Sequence, residues 1–178
     1  MRLAVAIGLV FLAVGCSGAG RDAQRQATLV CQPLAGIYAA CGRAPWEGTP
    51  YTIFALNKRV PVKIAGAPPG TRVPGRPAPE GWWRALILSP DGKTLLGQWS
   101  GECESQSTYL ISTHGGRPRT VFRSESKARG WSKDGRARVF LAEHGFGREV
   151  AYRQGLYLVD PKTMKRTLVR PVKTRQGC

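Results

Sequence analysis

The chain has 178 residues, with 27 Lys and Arg against 11 Asp and Glu, giving a formal net charge of +16. That length suits one domain with a real core and leaves little room for two. Arginine outnumbers lysine 19 to 8, and much of the charge is scattered through residues 117–138 and 162–175, so the plain reading is a solvated basic surface and the functional one an anionic partner.

Arg2 is followed by an apolar run from Leu3 to Val14 and then by Gly15-Cys16. The run is too short to span a bilayer and has the make-up of a secretory signal. Its end, Leu12-Ala13-Val14-Gly15-Cys16, resembles the lipobox of bacterial lipoproteins, with Ala13 standing where leucine is usual. The resemblance implies cleavage before Cys16 and lipidation of that cysteine, so that the chain is held outside the cytoplasm on a bacterial membrane. Residues 1–15 are then the signal peptide, 16–27 the lipidated N-terminus and a polar tether, and 28–178 a β-repeat domain.

Four cysteines remain: Cys31, Cys41, Cys103 and Cys178. In an oxidising compartment they suggest two disulfides, for which three pairings exist. Cys31 and Cys41 bracket a short segment containing Pro33 and Gly36, so their local pairing is the simplest and leaves Cys103 with Cys178. No C-x-x-C pair occurs, and no metal site is expected.

Along the domain, Thr28 to Ala40 is mildly apolar, and Gly42 to Thr49, with Trp46, reads as a loop. Tyr51 to Asn57 and Val60 to Ile64 read as a strand pair. Ala65 to Gly81 holds five prolines and four glycines, which exclude a helix or a central strand and point to an exposed connection. The apolar run that follows ends at Ser89-Pro90-Asp91-Gly92-Lys93, where proline presets a turn and glycine takes the positive φ, and Thr94 to Trp99 leaves directly as a second strand. The arrangement returns 43 residues later at Trp131-Ser132-Lys133-Asp134-Gly135-Arg136. An outer hairpin accompanies it in three copies: Phe54-Ala55-Leu56-Asn57, Tyr109-Leu110-Ile111-Ser112 and Tyr157-Leu158-Val159-Asp160, each followed by a further strand.

The unit, with its Leu88-Ser89-Pro90-Asp91-Gly92-Lys93-Thr94 turn and its degenerate second copy, is similar to the β-propeller repeat found in the translocation protein TolB. The resemblance covers about Tyr51 to Val172. It implies an all-β fold: a short array of propeller-like four-stranded antiparallel blades, two full units and a partial one, behind a lipoprotein signal peptide. Closed propellers use four to eight blades, so this array is short, and its ends need covering by the N-terminal segment, the disulfides or a second copy of the chain.

Chemical signatures are sparse. No G-x-S-x-G, H-E-x-x-H, Walker or G-x-G-x-x-G pattern occurs. His114 and His144 sit beside glycines in turns, and Glu102, Glu104, Glu143 and Glu149 lie in two insertions at equivalent places. A carboxylate pair for glycoside cleavage would need two such groups facing one sugar; solvation or pairing with arginine explains them equally. Trp82, Trp83, Trp99 and Trp131 recur at strand ends, as core aromatics or as a binding surface with Arg84, Arg43 and Trp46. The candidate binding residues are Trp46, Trp82, Arg84, Glu102, Glu104, His144 and Arg148, with Ser100 to Ser107 and Ala142 to Gln154 as the binding loops.

The favoured reading is a non-enzymatic, membrane-anchored lipoprotein acting as a binding or scaffold module of the envelope. It stands ahead of a structural accessory assembling through sheet edges, and ahead of an envelope enzyme acting on a polysaccharide. The expected partners are the membrane through the lipid, a protein or anionic envelope polymer, and a second copy of the chain. Nucleic acid and cofactors are not expected.

Overall fold

The computed structural model describes residues 29–43, 52–57, 62–71, 81–101, 105–123, 125–142 and 152–172. They form three four-stranded antiparallel sheets, each a meander in chain order. The first contains β1 (Leu29–Ala35), β2 (Tyr38–Arg43), β3 (Thr52–Ala55) and β4 (Val62–Ala65). The second contains β5 (Trp82–Leu88), β6 (Thr94–Ser100), β7 (Gln106–Ser112) and β8 (Arg119–Phe122). The third contains β9 (Ser126–Trp131), β10 (Ala137–Leu141), β11 (Gly155–Val159) and β12 (Arg166–Pro171).

Two turns explain why the repeat is visible in sequence. The Ser89 hydroxyl donates to Asp91 Oδ1 at 2.6 Å and accepts from the Thr94 N–H at 2.9 Å, while Gly92 takes a φ of 71°. At the second site the Ser132 hydroxyl donates to Asp134, accepts from the Arg136 N–H at 3.1 Å, and Gly135 takes a φ of 79°. Serine and aspartate thus satisfy the turn's own backbone donors, leaving the hairpins in register without help from elsewhere.

The first sheet corrects the expectation of a partial unit: the array consists of three full units. Its inner hairpin turns on Gly36 at a φ of 53° and uses no Pro-Asp-Gly. Its second strand, β2, also lacks polar alternation, because Ala39, Ala40 and Cys41 are all buried. A run of small buried residues has no period-2 contrast to read. The described part of the following connection is not uniformly exposed either, since Ala65 and Pro68 are buried and Ala67 packs on the core.

The sheets stack face to face, with β1 against β5 and β9 against β5, β6 and β7. Successive side chains of a strand point to opposite faces, and the second sheet is covered on both. Leu95, Trp99, Tyr109 and Ile111 pack on Tyr38, Ala40, Ile53 and Ile64 of the first sheet. Leu96, Leu110, Val121 and Phe122 pack on Val139, Leu141, Tyr157 and Val159 of the third. Trp83, 0% exposed, anchors the first seam, edge-on to Trp99 and Tyr109 at centroid distances of 5.1 and 5.7 Å. Gly97 is required beneath it: a Cβ there would stand 2.7 Å from the Trp83 ring and 2.8 Å from Ile111 Cδ1.

Cys31 and Cys41 are directly paired across β1 and β2, with Cα atoms 4.1 Å apart, and are joined by a disulfide. Cys103 and Cys178, the other expected pair, lie outside the described residues.

Replacing Trp83 with alanine is expected to cost about 3–5 kcal/mol, whereas Trp82→Ala, at a ring 37% exposed on the same strand, should change stability by no more than about 0.5 kcal/mol. Denaturant melts of the two variants check this, and equal losses would refute the packing. Loss of the Cys31–Cys41 bond, which closes a loop with a sequence separation of 10, should remove about 2.5–3 kcal/mol on the chain-entropy argument. A C31S/C41S chain that melts like the parent would contradict it.

Candidate functional site

Among the concavities formed by described residues, three differ in chemistry. The first lies at the turn end of the stack, with a volume of about 450 Å³, lined by Asp91, Asp134, Asp160, Lys133, Arg136 and Lys162 with neighbouring turn residues. Its three carboxylates are already engaged. Asp91 is held below the usual aspartate range by the Ser89 hydroxyl and then the Lys93 N–H. Asp160 is lowered by the backbone N–H groups of Thr163 and Lys162, at 3.0 and 2.7 Å from its Oδ1. Asp134 is pulled down to about 2 by the Arg136 guanidinium, with the Ser132 hydroxyl next in weight. Carboxylates that close their own turns serve as fixed acceptors, and a group held ionised this way is poorly matched to proton transfer near neutrality.

The second concavity, of about 310 Å³, lies between the chain after β4 and the far end of β6 and β7. Gly70 and Thr71 face Trp99, Gly101, Ser105, Ser107, Tyr109 and Arg123 across it. The expected binding loop from Ser100 to Ser107 therefore contributes to a real cleft. Trp99 Nε1 is buried and has no hydrogen-bond partner among the described residues. It is pressed on Gly81, where a Cβ would come within 2.6 Å of that nitrogen and 2.2 Å of the Ser100 carbonyl oxygen. The chain enters β5 at this point, and only glycine fits.

The third is an open groove of about 410 Å³ on the outward face of the third sheet, lined by Arg129, Arg138, Phe140, Leu156, Arg170, Pro171 and Val172. Strand alternation and register build it. On β10, Ala137, Val139 and Leu141 turn into the core, so Arg138 and Phe140 turn outward. Phe140 stands opposite Lys127 and Leu156, and Leu156 stands opposite Arg170. A bulge in β9 sets Arg129 and Gly130 against Arg138, and another in β12 adds Val169 between Leu168 and Arg170. Bulges re-aim side chains, and here Arg129 lies over the Phe140 ring at 5.7 Å.

Other arginines are used differently. Arg166 sits between Phe122 and Tyr152, 5.0 and 4.9 Å from their centroids, and donates to the Tyr152 hydroxyl at 2.6 Å. Arg119 donates to the carbonyl oxygens of Pro161 and Lys162. Both tie the second sheet to the third. Arg129, Arg138 and Arg170 are exposed, and among the described residues none of them forms an ion pair.

Of the residues singled out in the sequence, Trp82 and Arg84 are exposed on β5, either side of buried Trp83, and line none of these concavities. Trp46, Glu102, Glu104, His144 and Arg148 lie outside the described residues, as does Cys16. His114 is exposed in the turn after β7. Sequence reasoning missed the Arg129, Arg138, Phe140 and Arg170 group. The signal that could have found it is the alternation Ala-Arg-Val-Phe-Leu in β10, which sets a cation and an aromatic on the face opposite the core.

Comparison with protein-family models, with curated protein sequences and with solved structures gave no match.

Because the folded-state pKa of Asp134 lies below its unfolded value of about 3.8, the stability it contributes is present above pH 4 and is lost as the pH falls toward 2. Asp134→Asn should therefore flatten the fall in Tm between pH 4 and 2, leaving the part due to Asp91 and Asp160. Melting curves across that range test it, and superimposable acid limbs for parent and variant would sink the assignment.

Proposed function

We propose that this protein is a lipid-anchored module of the bacterial envelope, non-catalytic, whose three sheets are propeller-like blades and whose third sheet captures an anionic partner on its outward face. The carrying observation is the Arg129, Arg138 and Arg170 group around Phe140, with Lys127 beside it and no carboxylate at an outward position of that sheet. An exposed cation with no ion pair among the described residues is cheap to bring to an anion, and Arg129 can do so from over Phe140, whereas Arg119 and Arg166 would have to leave the carbonyl oxygens and rings that join two sheets. The lipobox-like Leu12 to Cys16 segment supports the anchoring, and the repeated Ser-x-Asp-Gly turns support the blade reading.

Assembly through sheet edges is the weaker reading. β12, an edge of the third sheet, is bulged and carries Arg166 and Arg170, a pattern that discourages strand addition.

The test uses the mature chain from residue 16 with Cys16→Ser, so that no lipid is attached, and soluble polyglutamate as the anionic probe. R129Q/R138Q/R170Q is expected to weaken binding at least tenfold and to reduce its salt dependence, while K93Q/K133Q/K162Q, losing equal charge at the turn end, changes it little. Equal effects from the two variants would mean that diffuse charge, not this face, holds the anion, and would overturn the reading.

A further inference from the structure

The outward face of the third sheet has an unusual inventory of polar groups. Thr167 apart, every polar side chain on its outward rows is a cation: Lys127, Arg129, Arg138 and Arg170. Such a face donates hydrogen bonds and accepts almost none. Sugars, peptide backbones and nucleobases present donors as well as acceptors, and against this face their donors would go unmet. A phosphodiester presents acceptors alone, and the planar fork of arginine matches two of its oxygens at once.

The middle of the face is apolar. Phe140, Leu156 and Leu158 are partly covered, and Val172 at the groove's rim is 40% exposed. A free phosphate ion would leave this hydrocarbon in water. The partner that satisfies both halves carries oxyanions beside hydrocarbon in a broad layer, because the face crosses four strands at about 4.8 Å spacing rather than closing into a pocket. Arginine stems lie along apolar surface while their heads reach polar groups, the arrangement that side chains take at a membrane interface.

Chain length points to the same partner. Twelve residues lie between Cys16 and Leu29 at the start of β1, and whatever their conformation they let the two ends stand no farther apart than about 45 Å. A lipid on Cys16 would keep the domain within that distance of headgroups.

We propose that the outward face of the third sheet docks on an anionic phospholipid bilayer, with Arg129, Arg138 and Arg170 on phosphodiesters and Phe140, Leu156 and Val172 at the boundary of the acyl layer. This rests on the reading that the face takes an anion, and it names the anion's source.

The mature Cys16→Ser chain is to be cosedimented with vesicles of equimolar phosphatidylglycerol and phosphatidylcholine, and with phosphatidylcholine alone. Binding is expected to the first and not to the second, weakening about five-fold for each of the three arginines changed to glutamine. Val172→Ser, at the groove's rim rather than under the arginine group, should lower vesicle binding more than polyglutamate binding, and a parent-like melting curve shows that the variant is folded. Binding of polyglutamate without binding of the anionic vesicles would overturn the bilayer proposal and leave the anion-binding face standing. Binding of neither would overturn both. Vesicle binding insensitive to Val172→Ser, or equal on neutral vesicles, would also overturn the docking described.

Discussion

The two central strands of the chain, β6 and β7, have no solvent side, and the fold depends on that double burial. Along β6 and β7 the apolar residues are divided between the seams by parity: Leu95 with the first sheet, Leu96 with the third, Tyr109 with the first, Leu110 with the third. A sheet buried on both faces cannot slip by one residue without exchanging its two hydrophobic sets, so the register of the middle sheet is fixed by both neighbours at once. The tight site at Gly97, between Trp83 and Ile111, is a local expression of the same constraint.

Polar ties complete the seams. Gly116 donates its backbone N–H to the Ile64 carbonyl at 3.1 Å, linking the second sheet to the first. On the other side, the Trp131 indole donates to the Ile87 carbonyl at 3.0 Å, and Thr108 meets Ser126 at 3.1 Å where both are buried. The Thr108–Ser126 pair, buried and satisfied, helps to specify one arrangement of the layers, because another would strand its hydroxyls in the core. Arg119, at the surface, and Arg166, between Phe122 and Tyr152, add further ties between the second sheet and the third.

The third sheet is then left with one face in the core and one outside, the arrangement that yields clean alternation. Its outward residues are free of packing duties and differ in chemistry from the inward ones by only a single step along each strand. That is how an outward face of a cation and an aromatic ring and an inward core face are written into the same five residues of β10. The proposed anchoring adds to this picture, since a lipid on Cys16 would bring this face near envelope components.

By itself, the sequence determined the local parts: the Ser-x-Asp-Gly turns at Ser89 and Ser132, the strands they join, the 43-residue repeat and the near pairing of Cys31 with Cys41. These are legible because the groups that satisfy the turns, or close the bond, lie within about ten residues of each other. Only the tertiary structure decided that the first unit is complete, since its buried alanines carry no periodic contrast and its turn needs only Gly36. The same holds for which tryptophans are buried, because Trp82 and Trp83 are chemically equal and differ only in the face they take on β5. It also decided the cationic groove, where Arg129, Phe140, Leu156 and Arg170 come from four strands and meet through the registers and bulges of the sheet. Local chemistry writes turns and strands, but a site shared by four strands exists only once the pairing between them has been chosen.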